Sequence, residues 1–177
     1  KLETLQLKGR YTKYQKTLDA FLFCCYAGMR YSDFVNMKPD NIVEMHQETW
    51  LIYKSIKTGT EVRLPLYLLF SGKGILILNK YQANLQDFFH LRDNSNVNKE
   101  LIIIARLAGV AKKVSFHTAR HTNATLLIYN GVNITTVQKL LGHKSVKTTQ
   151  IYTNVMDATI ISDLEKNHSS VHRKKGK

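Results

Sequence analysis

Cysteine is nearly absent. Cys24 and Cys25 are the only two in 177 residues, and they are adjacent. Neighbouring cysteines lack the geometry of an unstrained disulfide. They fall in the apolar stretch Ala20-Phe-Leu-Phe-Cys-Cys-Tyr26, which reads as buried core thiols in a reducing compartment. With the seven histidines they show no metal-ligand spacing, so no metal is expected. Acidic residues are also scarce. Thirteen Asp and Glu stand against 26 Lys and Arg, a formal charge of +13. That imbalance predicts a polyanionic partner, nucleic acid first. No apolar run approaches the ~20 residues of a membrane span. The opening Lys1-Leu-Glu-Thr4 has no initiator methionine and no signal-peptide core, and it reads as the start of a fragment. A membrane-surface protein would need a basic amphipathic helix with a bulky apolar face, and none is evident. There is no internal repeat, low-complexity tract or convincing linker.

What is present suits one folded domain. Hydrophobic residues make up 44% of the chain, too many for general disorder. A chain of this length buries roughly 70% of its unfolded surface. The spacing of Leu18, Phe21, Leu22, Cys25 and Tyr26 predicts a helix over 11–28, closed by Gly28. A short helix is expected over 31–37, stopping before Pro39. Two strands flank the turn Lys57-Thr-Gly-Thr60 as a hairpin, and 39–46 is the candidate third strand. Helices are then predicted over 71–81 and 96–108, the latter with Val97, Leu101, Ile104 and Leu107 on one face. Ser115 or His117 opens another, ending at Gly131. Asn133 caps Ile134–Leu141, and Gly142 ends it. Ser145 is the candidate cap of a short helix carrying Tyr152, and 157–166 is a candidate last helix. The fold class is therefore α+β, mostly helical with a small antiparallel sheet. Residues 1–167 form the domain, and 168–177 are a basic solvated tail.

Breaking a DNA phosphodiester without a metal requires an in-line nucleophile, cations on the non-bridging oxygens and an acid for the leaving oxygen. Four clusters offer such groups. Arg30 lies between two helices in Ala27-Gly-Met-Arg-Tyr-Ser-Asp33, and its planar fork suits phosphate oxygens. Asp33 either orients it or caps the next helix. Lys57 sits on the hairpin turn. His117 and Arg120, three apart near a helix N-terminus, share a face. His121 falls one step further round and reads as a packing histidine that points elsewhere. His143 follows a helix-ending glycine, and Tyr152 comes nine residues later. Each cluster alone is ordinary: a surface arginine, a solvated turn lysine, a common His-x-x-Arg pair, one core tyrosine among nine.

Jointly and in this order they carry more. His117-Thr-Ala-Arg-His-Thr-Asn-Ala-Thr125, Leu140-Leu-Gly-His143 with Thr149-Gln-Ile-Tyr-Thr153, Ala27-Gly-Met-Arg30 and Lys57-Thr-Gly with Arg63-Leu-Pro-Leu66 resemble the tyrosine recombinase, or phage integrase, family. The resemblance runs from about residue 5 to about residue 165. Alanine at 119, where many members carry leucine, is similar to the Bacteroides-type conjugative transposon integrases. The resemblance implies that Arg30 and Arg120 bind the scissile phosphate, and that His143 hydrogen-bonds it. It implies that Lys57 protonates the 5′-hydroxyl leaving group and His117 manages the tyrosine proton. Tyr152 would then form a 3′-phosphotyrosyl link, with Asp33 in support. Double-stranded DNA is the implied partner, with a tetramer on paired sites and a monomer open for the isolated domain. The expected location is the bacterial cytoplasm, at the nucleoid, and neither metal nor nucleotide cofactor is expected. Members also carry an N-terminal DNA-binding helical domain, absent from these residues. Two alternatives share the fold: a type IB topoisomerase-like relaxer and a non-catalytic DNA-binding regulator.

Overall fold

The computed structural model describes residues 1–153. The expected helix over 157–166 and the tail 168–177 lie outside them.

The order of elements follows the α+β expectation. A 3₁₀ turn over Gly9–Tyr14 leads into α1 (Gln15–Ala27), then α2 (Tyr31–Val35). Three strands come next: β1 (Ile42–Met45), β2 (Glu48–Lys54) and β3 (Glu61–Pro65). The rest is helical: α3 (Lys73–Lys80), α4 (Leu85–Phe89), α5 (Asn94–Leu107), α6 (Phe116–Tyr129), α7 (Ile134–Leu141) and α8 (Lys147–Gln150). Among the described residues, no helix is long and apolar enough to cross a membrane.

Helix α1 is the hub. Leu18, Ala20, Phe21, Phe23, Cys24, Cys25, Tyr26 and Ala27 are all buried, so the helix is covered nearly all round rather than on one stripe. It packs against α6, α3 and α5. Both thiols are free and buried, as expected, and burial pushes the Cys25 thiol up to about 12. The one carboxylate inside α1, Asp19, is satisfied by Tyr81 Oη at 2.9 Å and Lys80 Nζ at 3.2 Å. Phe34, from α2, meets Phe23 of α1 as well as Phe88, Phe89 and Phe116, with ring centroids 5.4–6.0 Å apart, which fastens α2 to the hub and to α4 and α6.

The sheet is antiparallel in the order β1-β2-β3. Its register pairs Leu51 with Leu64 and Tyr53 with Val62, and these four side chains form its buried face. The intervening Arg63 and Glu61 point to solvent, the period-two pattern of a half-buried sheet. Helix α5 departs from expectation at its end. Val97, Leu101 and Ile104 are buried, but Leu107 is exposed and Ala105 faces inward instead. Helix α4 was not foreseen, because five residues are too few to show a period.

Candidate active site

Two helices stop at glycines, and their ends build the site. Gly28 after α1 and Gly142 after α7 are both left-handed, at φ 67° and 61°. Both are also tightly packed. A Cβ on Gly28 would meet Asn123 Oδ1 at 2.6 Å, and one on Gly142 would meet Val62 Cγ2 at 2.6 Å. Only glycine fits both the turn and the approach. Helix α6 passes these ends, and Asn123 Nδ2 donates to the carbonyls of Cys25 and Tyr26 at 3.0 and 2.9 Å.

Arg120 comes off α6 into this junction. It is 1% exposed, the largest of the fully buried side chains. Its Nη1 donates to Gly28 O at 2.7 Å and its Nη2 to Leu141 O at 2.5 Å. These bonds hold the guanidinium in place but, among the described residues, no carboxylate forms an ion pair with it, and the Asp33 charge acts on it only from a distance. Burial, then the neighbouring Arg30 charge, lowers Arg120 to about 10. A buried cation in that condition favours an incoming anion.

The carboxylate at hand is already engaged. Asp33 is buried and lies 3.6 Å from Arg30 Nη1. It accepts from the backbone N–H of Ile56 at 2.8 Å and from Ser55 Oγ at 3.2 Å. Arg30 Nη1 donates to the same Ser55 hydroxyl at 3.2 Å. Asp33 therefore orients Arg30 and anchors the base of the β2–β3 hairpin, and it does not cap α2. On the other side of the hairpin, Thr58 Oγ1 donates to Gly142 O at 3.1 Å. Lys57, exposed between these two anchors, is thus held at the rim, and its charge is felt at His117.

The histidines and the tyrosine close the arrangement. His143 follows Gly142 and is buried, and it is pushed down to about 4 by burial, then by Arg120 and Arg30. His117 is lowered by desolvation, then by the charges of His121, Arg120, Arg30 and Lys57. Burial raises the Tyr152 phenol, with Arg120 and Arg30 pulling the other way. The same two arginines thus act on His117, His143 and Tyr152. The structure brings all the residues named from sequence into one neighbourhood, with Lys57 at its edge.

Two readings from sequence are corrected. Tyr152 is not on the short helix: α8 ends at Gln150, and Tyr152 sits in the turn beyond it, its N–H donating to Thr149 O at 3.1 Å. His121 does not point away. Its ring lies 4.3 Å from that of His117 and 5.3 Å from that of Tyr152. The spacing was informative, because residues four apart on a helix stack on one face. The contacts of Ser55 and Thr58 on the hairpin, and of Thr149 on α8, were not legible either, since a small hydroxyl residue does not show in sequence which group it will bond. Tyr53 lies among these groups. Its hydroxyl is buried without a hydrogen-bond partner among the described residues, and burial with the Asp33 charge raises its pKa. No cluster of three or more His, Cys, Asp or Glu suited to a metal occurs among the described residues.

Comparison with known proteins shows the family and the fold. Residues 5–159 match the group described as the phage integrase family. A tyrosine recombinase XerD of Listeria monocytogenes serotype 4b is 50% identical over 145 residues, covering 72% of this chain and 46% of the relative. The XerD of Lacticaseibacillus casei is 29% identical over 180 residues, covering 94% and 60%. The chain thus spans about half the length of these curated relatives. The fold is similar to that of the XerH site-specific recombinase, solved as a post-cleavage complex on a palindromic difH substrate. That likeness has a TM-score of 0.66 at 19% identity, over 95% of this chain and 48% of the other.

Proposed function

The chain belongs to the phage integrase family, and from that premise we propose that it cuts and rejoins double-stranded DNA through a covalent bond to Tyr152. The observation that carries this reading is Arg120. It is a buried guanidinium beside a second one, held by backbone carbonyls, with the nearby carboxylate already committed to Arg30. Among the described residues such a site has no free anion, and one phosphate group supplies it.

The chemistry follows from the positions. Arg30 and Arg120 neutralise the non-bridging oxygens as charge shifts in the transition state. Loss of either removes about 3 kcal/mol of stabilisation, by analogy with a lost oxyanion donor. The Tyr152 phenol is raised, so it attacks only as its proton leaves, and His117 receives that proton. His117 suits the task because its lowered pKa leaves it neutral near pH 7. His143 donates a hydrogen bond to the phosphate. Lys57, on the hairpin tip, protonates the departing 5′ oxygen. The phosphotyrosyl bond retains the energy of the phosphodiester, so rejoining needs no ATP. The relatives bear the name recombinase, which favours exchange between two sites over relaxation of supercoils. Exchange implies a tetramer on paired sites, acting at the bacterial nucleoid.

A nicked duplex that loses its short 3′ fragment on cleavage traps the intermediate. The full-length protein on its own site should yield a covalent protein–DNA adduct, and Tyr152→Phe should yield none. An adduct that survives in Tyr152→Phe, or no adduct with the wild type, contradicts the proposal. Relaxation at arbitrary sequences without exchange would replace it with a topoisomerase.

A further inference from the structure

We propose that Thr149 is a positioning residue that sets the tautomer of His143, turns its Nε2–H toward the phosphate, and joins that histidine to the turn carrying Tyr152. The inference rests on the strand-cleavage reading above. The geometry begins with one contact, His143 Nδ1 to Thr149 Oγ1 at 2.9 Å. Both groups are buried, Thr149 completely and His143 to 8% exposure. His143 is the only partner of that hydroxyl among the described residues.

Two arrangements of the pair are conceivable, and they differ in consequence. If Nδ1 carried the proton, it would donate to Thr149, and the buried hydroxyl hydrogen would have no acceptor among the described residues. If the hydroxyl donates, Nδ1 accepts, and both groups are satisfied. In a neutral ring the single proton then resides on Nε2. Phosphate oxygens only accept, so only this tautomer serves the site. The ring is kept neutral by its burial first, and then by the positive charges of Arg120 and Arg30.

The surroundings fix the frame in which this choice is made. Gln138 holds the His143 backbone from both sides, donating from Nε2 to His143 O at 3.1 Å and accepting from His143 N at 3.0 Å. Gly142 O receives Thr58 from the hairpin. The backbone of Thr149 accepts from Tyr152 N at 3.1 Å. One residue thus touches the phosphate-facing histidine with its side chain and the nucleophile's turn with its backbone. A hydroxyl at 149 aligns the two.

The test compares Thr149→Val, which keeps the shape and removes the hydroxyl, with Thr149→Ser, which restores it. Ring ¹⁵N shifts of His143 in the DNA-free 177-residue chain report the tautomer. Single-turnover adduct formation reports the rate, on nicked duplexes captured from a random-sequence pool. The wild type should show the Nε2–H form. Thr149→Val should move His143 toward Nδ1–H and slow cleavage by roughly 10- to 100-fold at unchanged DNA affinity. Thr149→Ser should recover both. A wild-type ring protonated on Nδ1 overturns the proposal, as does a Thr149→Val protein with wild-type tautomer and rate. If Thr149→Val fails to fold, the wild-type and Thr149→Ser tautomers decide. A wild type that forms no adduct counts against the cleavage reading, while the ring shifts still judge Thr149.

Discussion

Acidification should destabilise this domain through His143. In the fold its imidazole is lowered from 6.5 to about 4 by burial and by Arg120 and Arg30. In the unfolded chain it regains an ordinary value. Between these two values the unfolded state binds a proton that the folded state refuses, so stability falls as pH drops below 6.5. The loss levels off below about pH 4. The shift from 6.5 to about 4 corresponds to about 3 kcal/mol in full, and about 2 kcal/mol of it is lost between pH 7 and pH 5. That is a large share of a typical domain's stability of about 5–15 kcal/mol. Carboxylates also titrate in this range, so the informative quantity is a difference. Urea unfolding of the wild type and His143→Gln at pH 7, 6 and 5 isolates it. The wild type should lose about 2 kcal/mol relative to the variant over that span. Parallel stability curves would show that His143 is not held neutral by burial and by Arg120 and Arg30, and the reading of these two arginines as an anion site would fail with it.

Other expectations concern the frame around the site. Gly142→Ala combines a left-handed backbone with a 2.6 Å clash on Val62, and should cost roughly 2–4 kcal/mol in urea unfolding. Gly59→Ala has the same backbone sign but open space, and should cost about 1 kcal/mol; equal costs would contradict the packing argument. Tyr53→Phe removes a buried hydroxyl without a described partner, so stability should hold or rise by about 1 kcal/mol. A clear loss would reveal a partner for that hydroxyl. His121→Ala should slow adduct formation several-fold at unchanged DNA affinity, because Tyr152 loses the ring it packs on, whereas His121→Phe should retain the rate. Equal rates in all three proteins would make His121 a bystander.

Much of the frame was legible because it is written in caps. Gly28, Asn133 and Gly142 bound their helices where the residue types require it, and Ser115 stands before α6. The hairpin was legible from two apolar strands around Lys57-Thr-Gly-Thr60. The rest depends on tertiary proximity. Nothing in the spacing of residues 147–153 shows that α8 stops before Tyr152. Leu107 fits a helical stripe, yet the core ends one turn earlier. The burial of Arg120 follows from the carbonyls of Gly28 and Leu141, at two helix ends far apart in sequence, and a charged residue on a helix ordinarily reads as exposed. His121 lies one step round from Arg120 but a four-residue step from His117, and its ring packs on those of His117 and Tyr152.

The central claim is that Tyr152 becomes covalently joined to a DNA 3′ end. Trapped adduct, digested with protease and nuclease and read by mass spectrometry, tests it most directly. The account predicts a nucleotide-bearing phosphotyrosine on the peptide that contains Thr149-Gln-Ile-Tyr152. The modification on any other of the nine tyrosines, or on a serine, would contradict it.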